Sequence, residues 1–419
     1  MGDIRLRRRI LGALLDGLCQ SRPDLYLATP SQFLAQCADE LTLCQDLRIL
    51  GERALALRRL EALGARLSEY MERIDAPQLR LCRYRCQTQQ VRLLMNDSRP
   101  AQAAELAQSV SAELDLRRSA GALPQAEAWR SMEIDLRHTH SVALALAGDL
   151  EQALAVGERA AEMAASTFPP TEAALDVVST YANILIAKDP ARAEALLRQT
   201  DAKAQPFPAT GRCRIHVALN LSMSLIVQAW RERAIGAGDG DGRLCEATEC
   251  LKVAYAIAME KGRLSDAAAA AVLMGLVYAC RRDGAEASWF ANAVNAASLS
   301  RQMETLWRAH LNLATALARA GGAIERVAEH ARAASEILMD TLSPYPQPET
   351  SYRYSLIKVP LAHAVRFLVT AGDPAGERTL ARLPALLTMF EDDSRTRLRR
   401  DRSISHEWLR DGDYDFVLY

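Results

Sequence analysis

The feature that most constrains this chain is a recurrence. Residues 148–153 read Gly-Asp-Leu-Glu-Gln-Ala, residues 188–193 read Lys-Asp-Pro-Ala-Arg-Ala, and residues 282–287 read Arg-Asp-Gly-Ala-Glu-Ala. Each is a turn followed by a helix start, and each ends on a small residue: Ala153, Ala193, Ala287. A weaker copy runs from Gly322 to Val327. Ala153 and Ala193 are 40 residues apart, as are Ala287 and Val327. Ala247, in Gly-Arg-Leu-Cys-Glu-Ala at 242–247, divides the remaining gap into steps of 54 and 40. The excess of 14 has a natural place in Ile-Gly-Ala-Gly-Asp-Gly-Asp-Gly at 235–242, an insertion too rich in glycine to continue a helix. Self-similarity at a fixed period is the signature of stacked repeats.

Two further positions test the lattice. Four residues beyond each crossing residue stand Gly157, Leu197, Leu251, Ala291 and Ala331; seven beyond stand Ala160, Thr200, Ala254, Val294 and Ala334. None is charged and most are small, so the helix after each turn has one narrow face at i, i+4 and i+7 where another helix can approach closely. Upstream, Asp97-Ser-Arg-Pro100 introduces Ala103, Ala107 and Val110 on the same face, with a loop at 119–124 before the next copy. Downstream, Gly372-Asp-Pro374 starts another helix after a Pro-rich break at 343–348. Proline is tolerated in a first helical turn, which accounts for Pro100, Pro190 and Pro374.

The turns, the helix starts and the small face of the second helix resemble the tetratricopeptide repeat (TPR) family over about three quarters of the chain. Gly275 with Tyr278, and Tyr181 with Ile184, carry the match in the first helix. The unit of 40 is longer than the ~34 usual for the family; longer helices of this kind occur in its sensor and regulator branches. The resemblance implies an all-α, right-handed α-solenoid of stacked helical hairpins, about seven of them between residues 76 and 389, and brings no catalytic residues with it. Residues 1–75 read as three helices outside the register, at about 4–20, 30–44 and 46–74, with Ser31 as a cap for the second: an N-terminal cap or head segment. Residues 390–419 form a tail that is dense in charge and then aromatic.

Composition agrees with a helical chain. Ala and Leu dominate, aromatics are 5%, and β-branched runs of period two are almost absent, so no sheet is expected. The formal net charge of -1 disfavours bulk nucleic-acid binding. Arg5, Arg7, Arg8 and Arg9 read as the solvated face of a first helix with Ile4, Leu6, Ile10, Leu11 and Leu14 beneath. No run of 18 apolar residues occurs, so no membrane insertion is expected. The nine cysteines, without an export signal or a Cys-x-x-Cys, point to reduced thiols and a cytoplasmic location. Cys82 with Cys86 and Cys245 with Cys250 read as structural thiols.

Motifs that carry chemistry are missing. There is no phosphate-cradling loop, and Asp239 and Asp241 in the Gly-rich stretch would repel a phosphate. The same stretch lacks the closing Glu of a calcium loop. His138 and His140 are turned about 200° apart on a helix and cannot share a metal. His310, His330 and His363 read as single histidines, and Glu391, Asp392 and Asp393 as a solvated face. No catalytic residue, metal or cofactor is expected, and the chain is not read as an enzyme.

The repeat register places residues 15, 11 and 8 before each crossing residue on the inner face: His138, Val142 and Ala145; Val178, Ala182 and Leu185; Val272, Leu276 and Ala279; Asn312, Ala316 and Arg319. This face is mainly apolar. The expected function is a non-catalytic scaffold or adaptor that binds a partner helix or peptide in an apolar superhelical groove. One alternative is a regulatory sensor whose array binds a small molecule or signalling peptide; the other is an all-α enzyme. Alternatively the superhelix is tight enough that this face is internal, or the chain fills it with its own tail, for which Trp408, Tyr414, Phe416, Leu418 and Tyr419 are candidates.

Overall fold

The structure is a computed structural model that describes residues 2–21, 30–49, 52–74, 76–96, 99–121, 124, 126–167, 169–208, 211–234, 240–343, 352–386, 408–411 and 414–417. Seventeen helices and one two-stranded hairpin lie among them. The chain divides into two compact units, Met1–Ser166 and Thr167–Tyr419.

The first unit comprises α1 (Gly2–Ser21), α2 (Pro30–Ile49), α3 (Arg53–Arg73), α4 (Pro77–Asn96), α5 (Pro100–Ser119), α6 (Glu127–Ala147) and α7 (Leu150–Ala165). After α1 these pair as the hairpins α2/α3, α4/α5 and α6/α7, and the first helices α2, α4 and α6 pack on one another in succession. Each second helix buries positions 0, +4, +7 and +11: Ala103, Ala107, Val110 and Leu114 in α5, and Ala153, Gly157, Ala160 and Ala164 in α7. In α3 the same spacing is met by Ala56, Leu60, Leu63 and Leu67. This corrects the reading of residues 1–75 as outside the register: α2/α3 is a further repeat, hidden because leucines fill the places that alanine and glycine take elsewhere. One core runs from Leu15 and Phe33 through Leu60 to Leu79 and Leu93.

Three details of this end differ from expectation. α2 continues to Ile49, and because Pro30 is its first residue, Ser31 lies inside the first turn and does not cap it. In α1 two of the arginines reach neighbouring carboxylates: Arg7 Nε donates to Asp46 Oδ2 at 2.6 Å and Arg8 pairs with Glu52 at 2.5 Å. Leu6 and Ile10, expected beneath, are 58% and 51% exposed.

The second unit comprises α8 (Glu172–Ile186), α9 (Pro190–Ala204), α10 (Arg212–Ala234), α11 (Asp241–Glu260), α12 (Leu264–Arg281), α13 (Glu286–Ser300), α14 (Met303–Arg319), α15 (Ile324–Asp340), α16 (Tyr352–Thr370) and α17 (Pro374–Arg382), then β1 (Trp408–Asp411) and β2 (Tyr414–Val417). Helix starts follow from the turn chemistry. Asp189 and Asp373 accept from the backbone N–H of Arg192 and Ala375, with proline as the first helical residue, and in the first unit Asp149 does the same for Gln152. α8, α10, α12 and α14 pack in succession into one layer, and α9, α11, α13 and α15 cover it.

The buried spacing holds at Ala193, Leu197, Thr200 and Ala204, at Ala247, Leu251, Ala254 and Ala258, and at Val327, Ala331, Ala334 and Leu338. In α13 it falls on Glu286, Phe290, Ala293 and Ala297, one residue earlier than expected, so Ala287, Ala291 and Val294 are only half-buried. Two pairings cause the shift. Phe290 fits because Gly275 faces it: a Cβ on Gly275 would lie 2.4 Å from the ring. Glu286, buried at the crossing, is neutralised by Arg319.

The excess in the long step is also placed differently. α10 has 23 residues against 15 in α8, and α11 starts at Asp241, inside the expected insertion; residues 235–239 lie outside the described residues. So do 344–348 of the Pro-rich break and residues 390–407, with Glu391, Asp392 and Asp393. The tail is not wholly without sheet: β1 and β2 pair antiparallel, with Trp408 opposite Val417 and Asp411 opposite Tyr414. One described helix, α12, is long and apolar enough to cross a membrane although its apolar run is interrupted; it packs against α10, α11, α13 and α14.

Candidate binding site

The layer of first helices in the second unit decides which side chains meet a ligand. α10, α12 and α14 are each gripped by their own second helix, by the preceding one and by neighbouring first helices, and α8 by α9 and α10. That leaves a narrow stripe partly open. On α8 the stripe is Asp176, Thr180 and Asn183; on α10 it is His216, Asn220 and Met223, both at i, i+4 and i+7.

These stripes join across helices. His216 Nδ1 lies 2.7 Å from Asp176 Oδ1, and Nε2 lies 3.6 Å from Asp266 Oδ1 on α12. One imidazole thus links three consecutive first helices. Burial opposes its charge, but the hydrogen bonds to Asp176 and Asp266 outweigh burial and raise its pKa to about 9. As an imidazolium it directs an N–H at each carboxylate, and Arg212, 3.3 Å from Nε2, is a like-charge neighbour that pulls the pKa back. One turn along, Asn220 Nδ2 donates to Ser179 O at 3.2 Å and to Ser179 Oγ at 2.9 Å. Asn220 Oδ1 is left to accept. The histidine side chain is 22% exposed, so the row is open to a ligand without being freely solvated.

The residues expected to line an apolar groove are elsewhere. Val178, Ala182 and Leu185, Val272, Leu276 and Ala279, and Asn312 and Ala316 are buried. They face the helices that cover the layer, because an apolar stripe on a first helix is what its neighbours pack upon. Arg319 is held by the preceding hairpin, pairing with Glu286 and donating to Ala279 O at 3.1 Å. His138, Val142 and Ala145, on α6, are half-buried. The backbones of Trp408, Tyr414 and Phe416 lie in the β-hairpin; Leu418 and Tyr419 lie outside the described residues.

His310 and His330 are not single, since their Nδ1 atoms are 3.1 Å apart across the α14/α15 hairpin. His363 Nε2 lies 3.2 Å from Thr315 Oγ1. On the other side of the layer, Ala287, Ala291, Leu313, Leu317 and His330 help to line a cleft of about 390 Å³. His216 was absent from the residues singled out in the sequence. The signal was there: it stands 40 residues after Asp176, the repeat length. The longer step then puts Asp266 at 50 and hides the third member of the column.

No protein-family model matches the chain, and no curated protein matches it. Solved structures do. A Rap protein complexed with Competence and Sporulation Factor aligns at a TM-score of 0.50 and 13% identity, over 86% of this chain and 99% of that one. A Podosopora anserina putative kinesin light chain with nearly identical TPR-like repeats gives 0.40 and 19%, over 55% and 98%. A human IFIT1 dimer with m7Gppp-AAAA gives 0.30 and 14%, over 95% and 88%. The chain has the fold of TPR-like helical-repeat proteins.

Proposed function

We propose that this chain is a non-catalytic binding module that receives an extended polypeptide segment across α8, α10 and α12. The observation that carries this reading is the half-open polar row Asp176–His216–Asp266, with Asn220 beside it, in a layer whose apolar stripes are buried. Such a row suits a peptide backbone: the amide of Asn220 can match a peptide group, and the carboxylates accept from N–H groups. The acidic members argue against a phosphate backbone as the partner, since Asp176 and Asp266 would repel it. A clamped imidazolium offers no base near neutral pH, which supports a binding role over catalysis. The Rap protein of similar fold is itself complexed with Competence and Sporulation Factor, in keeping with ligand binding by such arrays.

A photo-crosslinking residue at Asn183, used in the native cell and followed by mass spectrometry, tests the reading. Discrete polypeptide adducts that disappear with His216→Ala are expected; adducts indifferent to that change would contradict it. A second reading, a sensor for a small molecule, is favoured by the cleft beside Leu313 and His330, whose volume of about 390 Å³ falls in the small-ligand range. Native mass spectrometry that finds a co-purified small molecule, lost with His330→Trp, would favour it over the first.

A further inference from the structure

A lone two-stranded hairpin is at best marginal in water, so the β1/β2 hairpin requires a surface to support it. That surface is α14, beside which β2 runs. α14 is the next first helix after α12, where the polar row ends at Asp266, so the hairpin sits on the same layer one helix further on. Its sequence, Trp408-Leu-Arg-Asp at one end and Tyr414-Asp-Phe-Val at the other, mixes acidic and aromatic residues.

We propose that the side of α14 on which β2 lies is a docking surface for extended acidic–aromatic strands, and that the chain's own residues 408–417 are its resident occupant. The hairpin acts as a built-in competitor. A partner segment lying across α8, α10 and α12 extends over α14 only when the hairpin leaves. This rests on the reading of the layer as the binding face. Tethering gives the tail an effective concentration on the order of millimolar, enough to exclude a free strand present at micromolar levels.

The test uses the full chain and a labelled synthetic peptide with the sequence of residues 408–419. Phe416→Pro removes a ladder N–H from β2 and breaks the hairpin without touching the helices. The peptide is expected to bind Phe416→Pro at least about tenfold more tightly than wild type. Amides of α14 should exchange faster in the variant and recover protection when peptide is added. Equal peptide affinity with unchanged exchange in α14 would overturn the proposal. So would wild-type dimerisation lost in Phe416→Pro, which would make the occupant a second copy's tail. Crosslinking at Asn183 separates the two readings: adducts that persist while the tail result is negative leave the polar row intact and sink only the tail's role.

Discussion

At the residue scale, histidines of opposite character set how the fold responds to pH. His216 has its pKa raised to about 9 because its bonds to Asp176 and Asp266 outweigh burial. Its contribution is therefore fully present below its unfolded value of about 6.5 and is lost as pH rises through about 9. His140, His310 and His363 are shifted the other way, chiefly by burial, to about 4, about 4 and about 3; His330 is lowered as well. For these the unfolded chain binds protons first, so stability falls as pH drops from about 6.5 toward 4. Urea unfolding as a function of pH is expected to show losses on both sides of neutrality. The deficit of His216→Gln relative to wild type should be largest near pH 6 and shrink by pH 10. A deficit of the same size at both pH values would show that the ring's charge is not what holds α8, α10 and α12 together.

At the element scale, α12 and α13 show how one glycine moves a register. Gly275 leaves room for Phe290, and a methyl group there would meet the ring at 2.4 Å. Gly275→Ala is expected to cost about 1–3 kcal/mol in denaturant unfolding, with Phe290→Leu in the same chain recovering part of it. A neutral result would mean that the two helices separate easily and that the close approach is not specified. Helices of this sort were legible in the sequence where side-chain size alone determined them. Ala153, Ala193, Ala247 and Val327 mark crossings because an uncharged, mostly small residue is buried at each, and Pro100, Pro190 and Pro374 mark starts because proline is favoured in a first helical turn. Legibility failed where size was compensated by a distant partner. Glu286 is buried because Arg319 neutralises it 33 positions on, and α3 uses leucines at the same spacing. The site failed for a related reason. Val178, Ala182 and Leu185 are as apolar as a groove would be, but apolarity marks the faces that neighbouring helices cover. The open stripe was the polar one at Asp176, Thr180 and Asn183, and its meaning depended on a residue 40 positions away.

At the scale of the whole molecule, stacking hairpins fixes what kind of function this chain can have. Each repeat contributes a short stripe, and neighbouring first helices combine stripes into a surface no single repeat contains. The row from Asp176 through His216 to Asp266 is such a surface, and the hairpin packs against α14, the next first helix of the layer. The most direct measurement begins with peptides selected from a random display library on the full chain. Their affinities are then determined at neutral pH for wild type, His216→Ala, Asn220→Ala and, as a control, Val253→Ala, a position 60% exposed on α11. Removing the imidazolium that holds the two carboxylates together should weaken binding about tenfold or more in His216→Ala, with a smaller loss in Asn220→Ala and none in Val253→Ala. Peptides that bind His216→Ala and Asn220→Ala as tightly as wild type would contradict the assignment of the binding face to this layer.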